Sequence, residues 1–215
     1  LISSLKLAEE VQQNLLPGKP PDLPGVDISG TSIYCDETGG DYYDYLPLPG
    51  NGLGVVVADA ADHGVGSALY MATARAFLIS AAGHYTDPRN LLENVNNFLV
   101  IDSAETGRFM TMFLLEIDVA GRNLRWVAAG HPPAIMFDPA SEKFSILSGR
   151  GIALGVLTDV TYEAHHKSGW PGDSVIVIGT DGIDETRNSA GEMFGLERVQ
   201  EVVRAKASGN AESIK

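Results

Sequence analysis

Cysteine is nearly absent: Cys35 is the only one in 215 residues. A single thiol builds no disulfide framework and no thiolate zinc cage, and it suits a reducing cytoplasm, the expected location. Histidine is scarce too, with five residues and no His-x-x-x-His pair to begin a zinc site. Positive charge is thin, since 15 Lys and Arg stand against 28 Asp and Glu, for a formal net charge of -13. That balance argues against nucleic acid as a partner, because a phosphate backbone demands clustered cations. No apolar run approaches the roughly 18 residues of a membrane span. The opening stretch LISSLKLAEE has no basic region followed by an apolar one, so it does not read as a signal peptide. There is no G-x-S-x-G elbow and no reactive setting around Cys35, so no covalent nucleophile announces itself. GRGIALG fails as a dinucleotide fingerprint, its third glycine coming one residue late.

What the chain does have is apolar substance. A hydrophobic share of 44 % with only 20 % charged residues describes a globular protein, long enough for one sizeable core. Leu1, Leu5, Ala8, Gln12 and Leu15 alternate spacings of four and three, a short coiled-coil-like stripe. Pro17 and the stretch GKPPDLPG stop that helix. Residues 1–16 are therefore expected to form an N-terminal linker helix, and residues 17–215 one domain. VDISGTSIY predicts a strand, and YYDYLPLPGNGLGVVVA a hairpin turning at PGNG. Val65, Leu69, Ala72, Ala76, Ile79 and Gly83 trace one helical face, and a second helix is expected over 88–101. TMFLLEIDVAGRNLRWVAAG reads as another hairpin, turning at AGRN. Shorter strands are expected near 134–138, 144–147 and 160–165, a buried strand in DSVIVIGTDG, and a closing helix over 192–207. Meandering strands around paired helices predict an α+β fold rather than a doubly wound sheet.

Two of these strands share a design. Val55, Val56, Val57 and Ala58 run into Asp59, while Val175, Ile176, Val177 and Ile178 lead to Asp181. A continuous apolar run implies a strand covered on both faces, with its carboxylate delivered at the end. Asp41 stands at the start of a third strand, behind Gly39 and Gly40. Taken by itself it reads first as a turn residue, since glycine and aspartate favour turns for backbone reasons. Carboxylates gathered from several strands, however, would repel each other and lose hydration unless compensated. Few basic residues stand near them in sequence, Arg75 and Arg187 being the nearest. Divalent cations are the natural compensation, and Mg²⁺ or Mn²⁺ suit all-oxygen donors.

The ordered series LAEEVQQNLLP, GGDYYDY, VADAADHGVGSALYMA, AAGHPP, GIALGV, TDGIDETRN and GEMFG resembles the SpoIIE/RsbU-type bacterial serine phosphatases of the PPM superfamily of metal-dependent protein phosphatases. The resemblance covers nearly the whole chain. It implies a layered α-β-β-α sandwich of antiparallel sheets flanked by helices. It also implies a site for two ions, Mn²⁺ or Mg²⁺, held by Asp41, Asp59 and Asp181 with the backbone carbonyl of Ala60. Those three aspartates are the candidate catalytic residues, while the substrate-binding residues are not identified. The implied reaction is hydrolysis by a metal-activated water without a phospho-enzyme, two cations activating the water and neutralising phosphoryl charge. The implied substrate is a phosphoserine or phosphothreonine on a regulatory protein, typically a STAS-domain anti-sigma-factor antagonist. Implied partners are an upstream sensor or receiver domain and a second copy joined through the N-terminal helix.

The chain departs from the family pattern in two places. Asp62 stands where the family usually has glycine, so either it adopts a positive φ or it adds negative charge at the metal site. The family also continues into a strand carrying a D-D or D-N pair, whereas this sequence reaches NAESIK first. The expectation is a truncated chain or one that lacks that ligand. The alternative reading is a degenerate phosphatase-fold module that binds a signalling partner without hydrolysis. Asp44 is expected to satisfy backbone donors in its hairpin, and His131 to shape a turn. His63 is expected either to donate a proton to a leaving oxygen or to pack at the start of the following helix. His165 and His166 are expected on opposite faces of a strand, at least one at the surface. Arg187 is read as a phosphate contact or a solvated loop residue, and Met71, Met110 and Met112 as core.

Overall fold

The computed structural model describes residues 2–48 and 52–215, and the side chains from residue 4. The elements run α1 (Ile2–Gln13), β1 (Tyr42–Leu48), β2 (Gly52–Ala60), α2 (Val65–Ala82), α3 (Pro88–Ser103), β3 (Met110–Asp118) and β4 (Asn123–Ala129). They continue with β5 (Ala134–Asp138), β6 (Lys143–Leu147), β7 (His165–Ser168), β8 (Val175–Val177), α4 (Gly195–Lys206) and the short α5 (Ala211–Ile214). The start of α3 shows how local chemistry sets a boundary. Asp87 accepts a hydrogen bond from the Arg89 backbone N–H, and Pro88 takes the first helical position, where its missing donor costs nothing.

Among the described residues the strands form two antiparallel sheets, one ordered β1-β2-β3-β4-β7 and the other β6-β5-β8. Alternation along β3 shows why they stack. Met110, Met112 and Leu114 join the core under α2 and α3, with Met71, Leu78, Leu91, Leu92 and Leu99. Phe113, Leu115 and Ile117 point the other way and meet Ala134, Met136 and Leu147 of the second sheet. Beyond that sheet, Ile135 and Phe137 pack with Val203 of α4. Helices, sheet, sheet and helix thus lie in the expected α-β-β-α order, and the methionines read as core are fully buried.

Several local expectations change. Residues 26–34 form no strand; the segment holds one isolated bridge, Leu23 to Val26. The segment is tied down by other contacts, Ser29 Oγ donating to Glu212 at 2.6 Å and the Gly30 carbonyl accepting from the Tyr43 hydroxyl at 3.2 Å. The strand expected over 160–165 lies later, at β7, where pairing with β4 places His165 opposite Trp126. β8 is only half-buried and three residues long, because it is an edge strand paired to β5 alone among the described residues. The turn expected at PGNG and the first residue of the N-terminal stripe, Leu1, fall outside the described residues, although the β1–β2 hairpin itself forms.

α2 carries the largest surprise. The face traced by Val65, Leu69 and Ile79 is exposed, and the helix instead buries Ser67, Ala68, Tyr70, Met71, Ala74, Leu78 and Ala82. The helix is apolar on both sides, so periodicity could not say which stripe turns inward. Its 18 residues also meet the length and composition of a membrane span, contrary to the expectation that no run would. Here α2 packs its buried stripe on the sheet as a core helix.

Candidate metal centre

Asp59 is in β2, and its partner across the ladder in β3 is Thr111. Tyr42 pairs with Ala58, so Asp41 stands one step beyond the last pair of the β1–β2 ladder, abreast of Asp59. Directly opposed residues in antiparallel strands share a face. Val55, Phe113 and Leu115 occupy that same face further along and fill the layer between the sheets. The acids are therefore the continuation of the inter-sheet core, at the end where apolar packing stops. Asp181 approaches from the second sheet, in the turn after β8, and Thr180 beside it donates to Asp41 Oδ2 at 3.4 Å. Asp59, Thr111, Gly130, His131, Pro132, Thr180 and Asp181 line a cavity of about 320 Å³ there.

The electrostatics show how closely the acids crowd. Burial pushes the Asp59 carboxyl up to about 7, helped by repulsion from Asp41 and Asp181. Asp41 is raised by burial and by Asp181, while Thr180 and Asp59 partly offset this through hydrogen bonding. Among the described residues no guanidinium is paired with them. Arg75 lies 3.6 Å from Asp44, Arg108 pairs with Asp62 at 3.3 Å, and Arg187 donates to the Gly191 carbonyl. Acidic oxygens under mutual repulsion and without a counter-charge fit hard divalent cations. They do not close into a finished cage, since no group of three or more His, Cys, Asp or Glu stands at metal-holding geometry among the described residues. They are nevertheless neighbours: Asp41 stands beside Asp59 at the end of the hairpin, Thr180 next to Asp181 reaches Asp41, and Asp59 and Asp181 line one cavity.

Close packing explains the two glycines, against the Tyr34 ring at Gly39 and against backbone at Gly40. A Cβ on Gly40 would overlap the Ala60 carbonyl oxygen, the group expected to serve a cation, and the Ala60 N–H bonds the Gly40 carbonyl at 3.3 Å. Gly39 is gripped from α1: Gln12 donates to its carbonyl at 2.6 Å and accepts from its N–H at 3.1 Å. The N-terminal helix thus touches the loop that presents Asp41.

Other expected residues sort cleanly. Asp44 is a scaffold residue, accepting from the Tyr42 hydroxyl at 2.7 Å and the Tyr45 N–H at 2.8 Å. Asp62 has φ 70°, so it replaces glycine in the left-handed region, and its carboxylate turns to Arg108. His63 does not pack at the helix start; its side chain is 77 % exposed and lies 2.8 Å from Asp36. His165 is partly covered and stacks on Trp126, while His166 is exposed. Arg187 is a loop arginine engaged with its own turn. His131 is more than a turn residue, for it is buried and lines the cavity. Thr111 and Thr180 also line the cavity: Thr111 lies in a run of apolar strand residues with nothing local to mark it, and Thr180 is the threonine of the TDG motif, where the aspartate drew the attention.

A two-sheet sandwich with acids converging at one end of the inter-sheet layer defines a PP2C-like phosphatase fold. The SpoIIE family model, described as Stage II sporulation protein E, matches residues 49–215, and the chain belongs to that family. The phosphoserine phosphatase RsbU of Bacillus subtilis is 28 % identical, over 88 % of this chain and 56 % of its own length. The SiaA-PP2C domain of Pseudomonas aeruginosa superposes with a TM-score of 0.78 at 25 % identity, covering 99 % of this chain and 85 % of that one. RsbX, solved in complex with magnesium, shares the fold at TM-score 0.60 and 19 % identity, covering 88 % of this chain and 80 % of that one. The chain spans 37 to 56 % of the length of the curated relatives it matches.

Proposed function

We propose that this chain is a protein phosphatase domain that hydrolyses phosphoserine or phosphothreonine with Mn²⁺ or Mg²⁺. The observation that carries this is a cavity lined by Asp59 and Asp181, with Asp41 beside Asp59 across the hairpin and bonded by Thr180, and with no ion pair from Lys or Arg to these three acids among the described residues. Asp41, Asp59, Asp181 and the Ala60 carbonyl would hold the ions, two in the family reading. When bound, such ions activate water and neutralise phosphoryl charge. The chain's own part is to present the acids on rigid strand ends, with Thr180 orienting Asp41 and Gly40 keeping the Ala60 carbonyl clear. The kinship with RsbU supports a phosphorylated regulatory protein as substrate, with a STAS-domain anti-sigma-factor antagonist as the proposed case.

Residues 1–16 are proposed as the link to an upstream sensor or receiver domain and as a dimer contact, and the Gln12–Gly39 clamp supports a route from that helix to the site. Mn²⁺-dependent release of phosphate from a phosphoserine peptide tests the activity, with D41N, D59N and D181N each expected to lose at least 100-fold. Wild-type turnover unaffected by a chelator would end the proposal. The unfinished cage favours a second reading, a phosphatase-fold module that binds its partner without hydrolysis. Calorimetric titration separates the two, since a binding-only module needs no affinity for Mn²⁺.

A further inference from the structure

The three acids do not belong to one sheet, so something must set the distance between the sheets where they meet. Asp59 and Thr111 are paired in the five-stranded sheet, and Asp181 follows β8 of the three-stranded one. Lining the cavity with them is His131, only 6 % exposed. Its Nδ1 lies 2.7 Å from Thr111 Oγ1, on the residue directly opposite Asp59. Its Nε2 is buried without a formed hydrogen bond. The backbone at Gly179 raises the ring's basicity, against the larger effect of burial. Gly179 precedes Thr180, which bonds Asp41, and then Asp181 itself. A continuous path therefore joins Asp59, Thr111, His131, Gly179, Thr180 and Asp41. An orphaned ring nitrogen in such a path calls for an explanation, because buried polar atoms are seldom left without a partner.

We propose that His131 is a positioning residue, a neutral spacer wedged by Thr111 against the 179–181 turn, which holds Asp181 at the separation from Asp59 that cation binding requires. The spacer requires the Thr111 hydroxyl to donate across the 2.7 Å contact to Nδ1, which puts the ring proton on Nε2. Neutrality matters here: an imidazolium beside the acids would compete with cations for the same charge. Burial lowers the ring's pKa to about 4, so it is uncharged at pH 7. Bulk and one directed N–H are then all it contributes. This inference rests on reading the three aspartates as a cation site, and the experiment keeps the two ideas apart.

Mn²⁺ affinity is measured by calorimetry on the wild type, H131A, H131Q and T111V, alongside metal-free thermal unfolding and ¹⁵N NMR of the histidine tautomers. In the wild type the His131 proton is expected on Nε2. H131A is expected to weaken Mn²⁺ binding by about 10–100-fold, the usual effect of removing a support behind a ligand. H131Q, whose amide restores an N–H close to the Nε2 position, should recover most of that loss, which simple loss of packing does not predict. T111V keeps the ring but removes the hydroxyl that selects the tautomer, so it should shift the NMR signature and weaken binding together. Wild-type affinity in H131A, or a proton on Nδ1 in the wild type, overturns the spacer and leaves the cation site standing. If H131A fails to fold, T111V decides alone, and unchanged affinity there refutes the inference. A wild-type chain with no Mn²⁺ affinity sinks the cation reading, and the spacer with it.

Discussion

Asp59 shows at the scale of one residue how a site can oppose the fold that carries it. Its carboxyl is raised to about 7 in the folded protein, well above the 3.8 of an unburdened aspartate. The folded state therefore holds the proton more tightly than the unfolded chain between those two values, and metal-free stability rises as pH falls through that window. Above pH 7 the folded protein carries the ionised acid at a cost. D59N removes that charge, so the metal-free variant should melt higher than the wild type at pH 8, by roughly 1–2 kcal/mol after discounting for solvent screening of a half-exposed group. The gain should vanish near pH 4, where the wild-type acid is protonated as well. A D59N protein that melts lower at pH 8 would show the repulsion is not real. Gly40 supplies a second residue-scale test. G40A pushes a methyl into the Ala60 carbonyl, a backbone group that cannot swing away, so stability should fall by about 1–3 kcal/mol in chemical denaturation and Mn²⁺ affinity should drop with it. Both effects come from the second of two adjacent glycines that the sequence displays openly. Their reasons, close approach to the Tyr34 ring at Gly39 and to the Ala60 carbonyl at Gly40, are visible only in three dimensions.

At the scale of elements, α1 is held by one side chain where it matters most. Gln12 is 4 % exposed and satisfies both backbone groups of Gly39. Q12A leaves that buried N–H and carbonyl without partners, a loss of about 1–3 kcal/mol that thermal denaturation reads directly. Faster amide exchange at Gly39, with little change in the β3–β4 hairpin, is the expected signature of a loosened Asp41 loop. Uniform exchange across the domain would instead mean that α1 only adds general stability. Periodicity exposed the helix in the sequence, since its stripe runs through Leu5, Ala8, Gln12 and Leu15, but a glutamine within an apolar stripe gave no hint of its target. The hairpins were readable for the same local reason: alternation and turn residues act between near neighbours. α2 was only half readable. Both of its faces are apolar, so the choice between them passed to the sheet beneath, which takes Met71, Ala74 and Leu78. β8 was misjudged in the opposite sense, as four apolar residues read as a fully covered strand turn out to lie at a sheet edge.

For the whole molecule, the site belongs to the junction of two sheets and to neither alone. Cations that bind only the folded arrangement should stabilise the entire domain by mass action. At a hundred times its dissociation constant, Mn²⁺ should add about 2.7 kcal/mol, or roughly 5–10 °C in Tm for a domain of this size. Differential scanning calorimetry with and without Mn²⁺ measures it, and D181N should abolish the shift while leaving the metal-free transition cooperative. A shift retained in D181N would place the bound ion elsewhere among the protein's acidic residues.

The sequence by itself determined which segments become helices and hairpins, which acids stand at strand ends, and in what order the motifs fall, because those depend on spacing between neighbours along the chain. Only the tertiary structure decided that residues 41, 59 and 181 come together, which face of α2 is buried, and that His131 is buried against their cavity. Those outcomes depend on which strand faces which across the core. That is a choice made by packing many side chains at once, and no local pattern encodes it.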